Sequence, residues 1–168
     1  MKKTGLYAWL LLAAFAFTVA ARAAVPVPAD AHAQIEQVVA KFQAALVAKD
    51  KAGLESLFMP EGGSWFEVLG DNAYRKLSAQ HPQVPRFHGD NHQRFIDFVV
   101  GSKGRVEEKF SNVRIETDGA IASVYFDFLF FADGKLNNRG HEAWQLVNTG
   151  TGWRISAMAY SSEPTQLR

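Results

Sequence analysis

From Val106 onward the chain alternates apolar and polar residues with a period of two, and glycine turns interrupt the pattern at similar distances. "VEEKFSNVRIET" runs into Asp118-Gly119, "AIASVYFDFLFF" into Asp133-Gly134, and "GHEAWQLVN" into Thr149-Gly-Thr-Gly152 before "WRISAMAY". Alternation sends successive side chains to opposite faces, and Asp-Gly supplies the positive φ that tight hairpins need. The second half of the chain is therefore expected to form four antiparallel strands in sequential order, with one face buried.

A two-residue turn at Asp118-Gly119 pairs Thr117 with Ala120, Ile115 with Ala122 and Val113 with Val124. Phe110 then has the wrong parity for the apolar face, and a bulge near Ser111-Asn112 is expected to restore it. That face continues through Phe126, Phe128 and Phe130. The last turn pairs Asn148 with Trp153, Leu146 with Ile155, Trp144 with Ala157 and Glu142 with Ala159. A matching middle register sets Trp144 beside Phe128. Glu142 is then the one acid on this face, while Tyr125, Asp127, His141 and Tyr160 share the other.

Upstream the period changes to that of a helix. Ile35, Val38, Val39, Phe42, Ala45 and Leu46 form one apolar stripe, with Asp30 placed to cap it and Lys49-Asp50 to end it. A short helix led by Asp50 follows from 51 to 58, and then a strand, "SWFEVL", from Ser64 to Leu69. Residues 70–89 read as an irregular polar loop with a helical turn around Tyr74–Leu77, long enough to act as a lid. "DNHQRFIDFVVG" reads as a third helix, capped by Asp90 with Gln93 in a capping box, burying Phe95, Ile96, Phe98 and Val99.

The start of the chain has a different character. Lys2 and Lys3 precede an apolar run from Leu6 to Val19, which ends at Ala21-Arg22-Ala23. This is the order of a secretory signal peptide, and the run is short for a membrane span. The expected organisation is a signal peptide over 1–23, a linker over 24–33, one domain over 34–162 and a tail over 163–168. Cleavage removes three basic residues and turns the formal charge of +1 into −2. The expected location is periplasmic or secreted, with no membrane attachment after cleavage. No basic stripe points to nucleic acid. The chain has no cysteine, which excludes thiol catalysis and thiolate metal sites.

The segments "FQAALVAKDKAGLESLF", "FSNVRIETDGAIASVYFDF" and "GHEAWQLVNTGTGWRIS" together resemble the nuclear transport factor 2-like superfamily, from about Asp30 to Ser162. The resemblance implies an α+β cone, with three N-terminal helices packed on a bent antiparallel sheet. The superfamily includes ketosteroid isomerase, scytalone dehydratase, polyketide cyclases and many small secreted members of no established activity, and this chain is most similar to the last group. Many relatives carry a histidine six residues after the tryptophan of the final strand, and here that position is Ala159.

These readings lead to a small apolar or aromatic molecule held in a cone pocket walled by Trp65, Phe128 and Trp144, with Glu142 near the mouth and residues 70–89 as cover. The competing expectation makes Trp144 solid core against Phe42 and Phe95. Glu142 is the candidate acid or base if the pocket is an enzyme's. His88, Asp90 and His92 stand at alternate positions, as metal ligands can, but Asp90 as a helix cap would send the three side chains apart. No cofactor motif is present. The apolar outer face of the sheet, including Phe131 and Met158, is expected to form a homodimer or to dock another protein.

Overall fold

The computed structural model describes residues 30–166. The expected signal peptide lies outside the described residues, as do 24–29 of the linker and 167–168 of the tail. In chain order the elements are α1 (Ala31–Ala48), α2 (Lys51–Glu55), β1 (Ser64–Leu69), α3 (Asp71–Gln80), β2 (Phe87–Asp90), α4 (His92–Gly101), β3 (Val106–Thr117), β4 (Ile121–Ala132), β5 (Lys135–Asn148) and β6 (Trp153–Ser162). All six strands belong to one sheet of order β2-β1-β6-β5-β4-β3. The four-stranded meander is present, but the sheet is larger and mixed, because β1 runs parallel to β6.

The stripe of α1 packs on the inner face of the sheet, with Ile35, Phe42 and Leu46 fully buried. Each such side chain contributes roughly 1.5–3 kcal/mol by leaving water. Asp30 stands at the N-cap of α1, yet its carboxylate accepts from the Gln34 side chain and no backbone N–H. Asp50 does cap α2, accepting from Gly53 N at 2.9 Å. That helix ends at Glu55, short of the expected 58, because Phe58 bridges to Ile155 of β6.

Two elements occupy the expected loop. Helix α3 buries only Ala73, and its N-terminus is held from far along the chain. Both Glu163 carboxylate oxygens accept from it, one from Asn72 N and the other from Ala73 N, at 3.0 Å. β2 has four residues, two of them His88 and Gly89, and exists through its ladder with β1. The cap of α4 is Asn91, which accepts from Arg94 N at 2.9 Å, and not Asp90, which lies in β2. Phe98 faces out at 55% exposure, so the buried face of α4 is narrower than its apolar pattern.

Bulges set the faces of the meander. The expected one lies between Ser111 and Arg114, with Asn112 at φ 54°. Thr117 pairs with Ala122 and Ile115 with Val124, two residues on from the two-residue-turn register. An even shift leaves the faces intact. Asp118 causes it by accepting from both Ala120 N and Ile121 N, which widens the turn. Val113 therefore does not face Val124.

A second bulge, between β5 and β6, was not expected. Asn148 pairs with Trp153 and Leu146 with Ile155, as the turn predicts, but Gln145 then pairs with Ala157. Ser156 is the extra residue, and every side chain beyond it changes face. Trp144 lies opposite Met158 and Glu142 opposite Tyr160, not Ala157 and Ala159. Met158 is buried, so it is not part of the outer face. On the other side Trp144 pairs with Val124, while Phe128 pairs with Gly140, so Trp144 and Phe128 are not neighbours in the ladder.

Candidate functional site

A cavity of about 340 Å³ lies between α4 and the inner face of the sheet. Its apolar wall is Trp65, Phe95, Phe128 and Phe130, with Phe98 and Arg94 of α4 on the exposed side. Its polar lining is Glu67, Asp90, Glu108, Glu142, Tyr160, Asn137, Asn138 and Ser162.

Each strand supplies its part through parity. Trp65 and Glu67 are two apart on β1, and Trp65 lies opposite Asp90 of β2. Val106 and Glu108 point inward from the start of β3, ahead of the bulge. Tyr160 and Ser162 point inward because the Ser156 bulge turned the end of β6 over. Gly140 makes the strand crossing possible, since a Cβ there would stand 2.0 Å from the Ser161 carbonyl oxygen.

Glu108 and Glu142 are each only 5% exposed, and their carboxyls are in hydrogen-bond contact. Burial, then the neighbouring Glu142 charge, pushes the Glu108 carboxyl well above its ordinary range. Burial pushes Glu142 up to about 7, opposed by hydrogen bonds from Trp144 and Glu108. Two such carboxyls near neutral pH share a proton, because desolvated like charges side by side repel. Among the described residues no Lys, Arg or His forms an ion pair with either. Tyr160 is held protonated, by burial first and by the Glu67 carboxylate opposite it second. Glu67 is itself 3.2 Å from His88 Nε2.

Of the residues expected to wall the pocket, Trp65, Phe128 and Glu142 line the cavity and Trp144 does not. Trp144 is fully buried, with its ring 5.0 Å from Phe42 and 4.9 Å from Phe126, so it is solid core, with Phe126 where Phe95 was expected and Phe95 on the cavity wall. The β4–β5 register pairs it with Val124, four residues along the strand from Phe128. Glu142 sits deep, not at the mouth. None of residues 70–89 lines the cavity; β2 extends the sheet at its edge. Asp90 is not the cap that was to send His88, Asp90 and His92 apart; instead His88 meets Glu67, Asp90 lines the cavity from β2, and His92 stacks on Phe58 at 4.8 Å.

Sequence reasoning missed Glu67, Asp90, Glu108 and Tyr160. Glu67 and Glu108 were within reach of parity, two residues from Trp65 and from Phe110 respectively. On the outer face Asp127 accepts from Asn112 and lies 2.7 Å from His141 Nδ1, and Tyr125 stacks on that imidazole. Asp127 thus points away from the cavity, as its parity predicts.

No family model matches the chain, and no curated protein matches it. Solved structures do. A nuclear transport factor 2-like superfamily protein from Salmonella enterica serovar Typhimurium is 20% identical, with 82% of this chain and 94% of that one covered at a TM-score of 0.55. A nuclear transport factor 2-like protein of unknown function from Shewanella baltica is 17% identical, over 80% and 94%, at 0.56. A provisionally assigned scytalone dehydratase from Novosphingobium aromaticivorans is 13% identical, over 82% and 89%, at 0.58. Identities this low speak to architecture, and one architecture hosts many activities. The chain has the nuclear transport factor 2-like fold.

Proposed function

We propose that this protein binds a small molecule with an apolar or aromatic body in the cavity, and that it does so after export. The observation that carries the reading is the cavity itself: about 340 Å³, with four aromatic side chains on its wall and polar groups from five strands among them. That is the usual composition of a small-molecule site. The export part of the reading rests on the signal-like order of residues 1–23. Nile red, a neutral apolar dye, tests the pocket. Phe128→Trp fills the space beside Tyr160, whose ring lies 6.0 Å away. The variant is expected to weaken dye binding by about tenfold or more. Unchanged binding in a folded variant overturns the reading.

One observation favours catalysis as a second reading. A carboxyl pair holding one proton near neutral pH can both give and take a proton. Tyr160, kept protonated, can donate to an oxygen on which charge develops. The chemistry supported is proton transfer on a bound ketone or alcohol, as in an isomerisation or a dehydration. α-Proton exchange of 2-tetralone in deuterated water, followed by NMR, tests it. Exchange above the buffer rate that Glu142→Gln abolishes supports the reading, and exchange at the buffer rate removes it.

A further inference from the structure

We propose that the polar head of the ligand is a protonated amine, held between the Glu108 and Glu142 carboxyls. The inference rests on the small-molecule reading above and assigns its ligand class.

Charge balance points there first. Four carboxyls reach one cavity, from β1, β2, β3 and β5. One cation, Arg94, reaches the cavity, at its exposed rim, where it meets Asp90 only at 3.8 Å with a 75% exposed side chain; His88 meets Glu67 from a 56% exposed one. The Glu108 carboxyl, over nine-tenths buried and facing the cavity, receives no hydrogen bond from any N–H or hydroxyl among the described residues. Its contact is with Glu142, another acceptor once ionised. Glu142 accepts from the Trp144 indole and from the protonated Glu108 carboxyl. Once the pair loses its shared proton, a demand for donors and positive charge opens on the inner wall.

The walls suit the same head group. An ammonium carries three donors and no acceptor, so it satisfies two carboxylates at once. Trp65, Phe95 and Phe128 present π-faces that attract a cation and tolerate an aromatic body. A carboxylate or phosphate head would instead meet four acids. A neutral alcohol can bond one carboxyl as donor but brings no charge, so it cannot take the place of the shared proton.

Binding is then linked to protons. The pair keeps a proton near neutrality in the free protein, and an arriving ammonium replaces it. The charged groups facing the pair are Glu67 of β1, Asp90 of β2 and Arg94 of α4, with Tyr160 of β6 protonated throughout. Affinity for an amine should therefore rise as the pair ionises, while the amine itself stays charged.

Calorimetry with three compounds of one body separates the outcomes: tryptamine, tryptophol and indole-3-propionate. Tryptamine is expected to bind about tenfold or more tighter than tryptophol, with indole-3-propionate weakest. Its affinity should increase from about pH 6 to about pH 8, with proton release seen as a buffer-dependent heat. Glu108→Gln and Glu142→Gln should remove the preference for tryptamine over tryptophol. Tryptophol or indole-3-propionate binding as tightly as tryptamine overturns the amine assignment and leaves the small-molecule reading standing. Failure of all three to bind at millimolar concentration overturns both.

Discussion

Trp144 Nε1 donates to Glu142 Oε2 at 2.7 Å, two residues along the same strand and inside the core. The indole does not touch the cavity, yet it holds one of the cavity's two buried carboxyls in place. A core residue and a site residue are thereby coupled through one hydrogen bond.

Removing the donor alone should show the coupling. The Trp144 hydrogen bond favours ionised Glu142, so Trp144→Phe is expected to raise the Glu142 titration above its value of about 7. Carbon-detected NMR of the labelled carboxyl measures it directly. An unmoved titration would show that the bond does not tune the acid. Trp144→Ala should cost roughly 3–5 kcal/mol in denaturant unfolding, as for a large ring lost from a packed core.

Stability should fall as pH rises through neutrality. Glu142 titrates near 7 in the folded protein against 4.5 in its ordinary state, so the folded chain holds the extra proton between those values. Stability from this group is fully present below about pH 4.5 and is lost by about pH 8, a difference on the order of 3 kcal/mol. Glu142→Gln keeps an acceptor for Trp144 and removes the charge. It should be more stable than the natural chain at about pH 8 and show a flatter profile above about pH 5. Urea midpoints at the two pH values decide the matter, and a flat profile in the natural chain contradicts the buried-acid account.

The outer face of the sheet is proposed to form a homodimer. Ile121, Tyr125 and Leu129 of β4 are 59%, 38% and 39% exposed there. A stable interface of this kind buries on the order of 1,000 Å² or more. Leu129→Asp should give monomers in sedimentation velocity. A natural chain that is already monomeric at high micromolar concentration rules the interface out.

Export is expected to remove residues 1–23, so the mature chain should begin near Ala24. N-terminal sequencing of protein recovered from the periplasm or medium checks this. Intact Met1 on the recovered protein contradicts it.

The meander, the α1 stripe and the general α+β architecture were legible in the sequence because they rest on local periodicity and on turn residues. Asp-Gly turns and the wrong parity of Phe110 were enough to place the first bulge. Of the segment that forms α3 and β2 only the helical turn around Tyr74–Leu77 was legible, because the partners of the rest are distant. Glu163 supplies the helix cap from 90 residues away, and β1 supplies the ladder that makes "FHGD" a strand. The site was half legible. Trp65, Phe128 and Glu142 followed from alternation, but a single unmarked bulge at Ser156 turned Tyr160 in and Ala159 out. No residue type announces such a bulge, and a shift of one residue reverses every side chain after it.

What the sequence determined by itself was which residues alternate, where the chain turns and which stripe is apolar, since each depends on neighbours within a few positions. Only the tertiary structure decided that Glu108 and Glu142 meet. They lie on β3 and β5, separated by β4, and their approach depends on two registers holding together. A shared proton between two buried acids is a property of that distance, which no local pattern encodes.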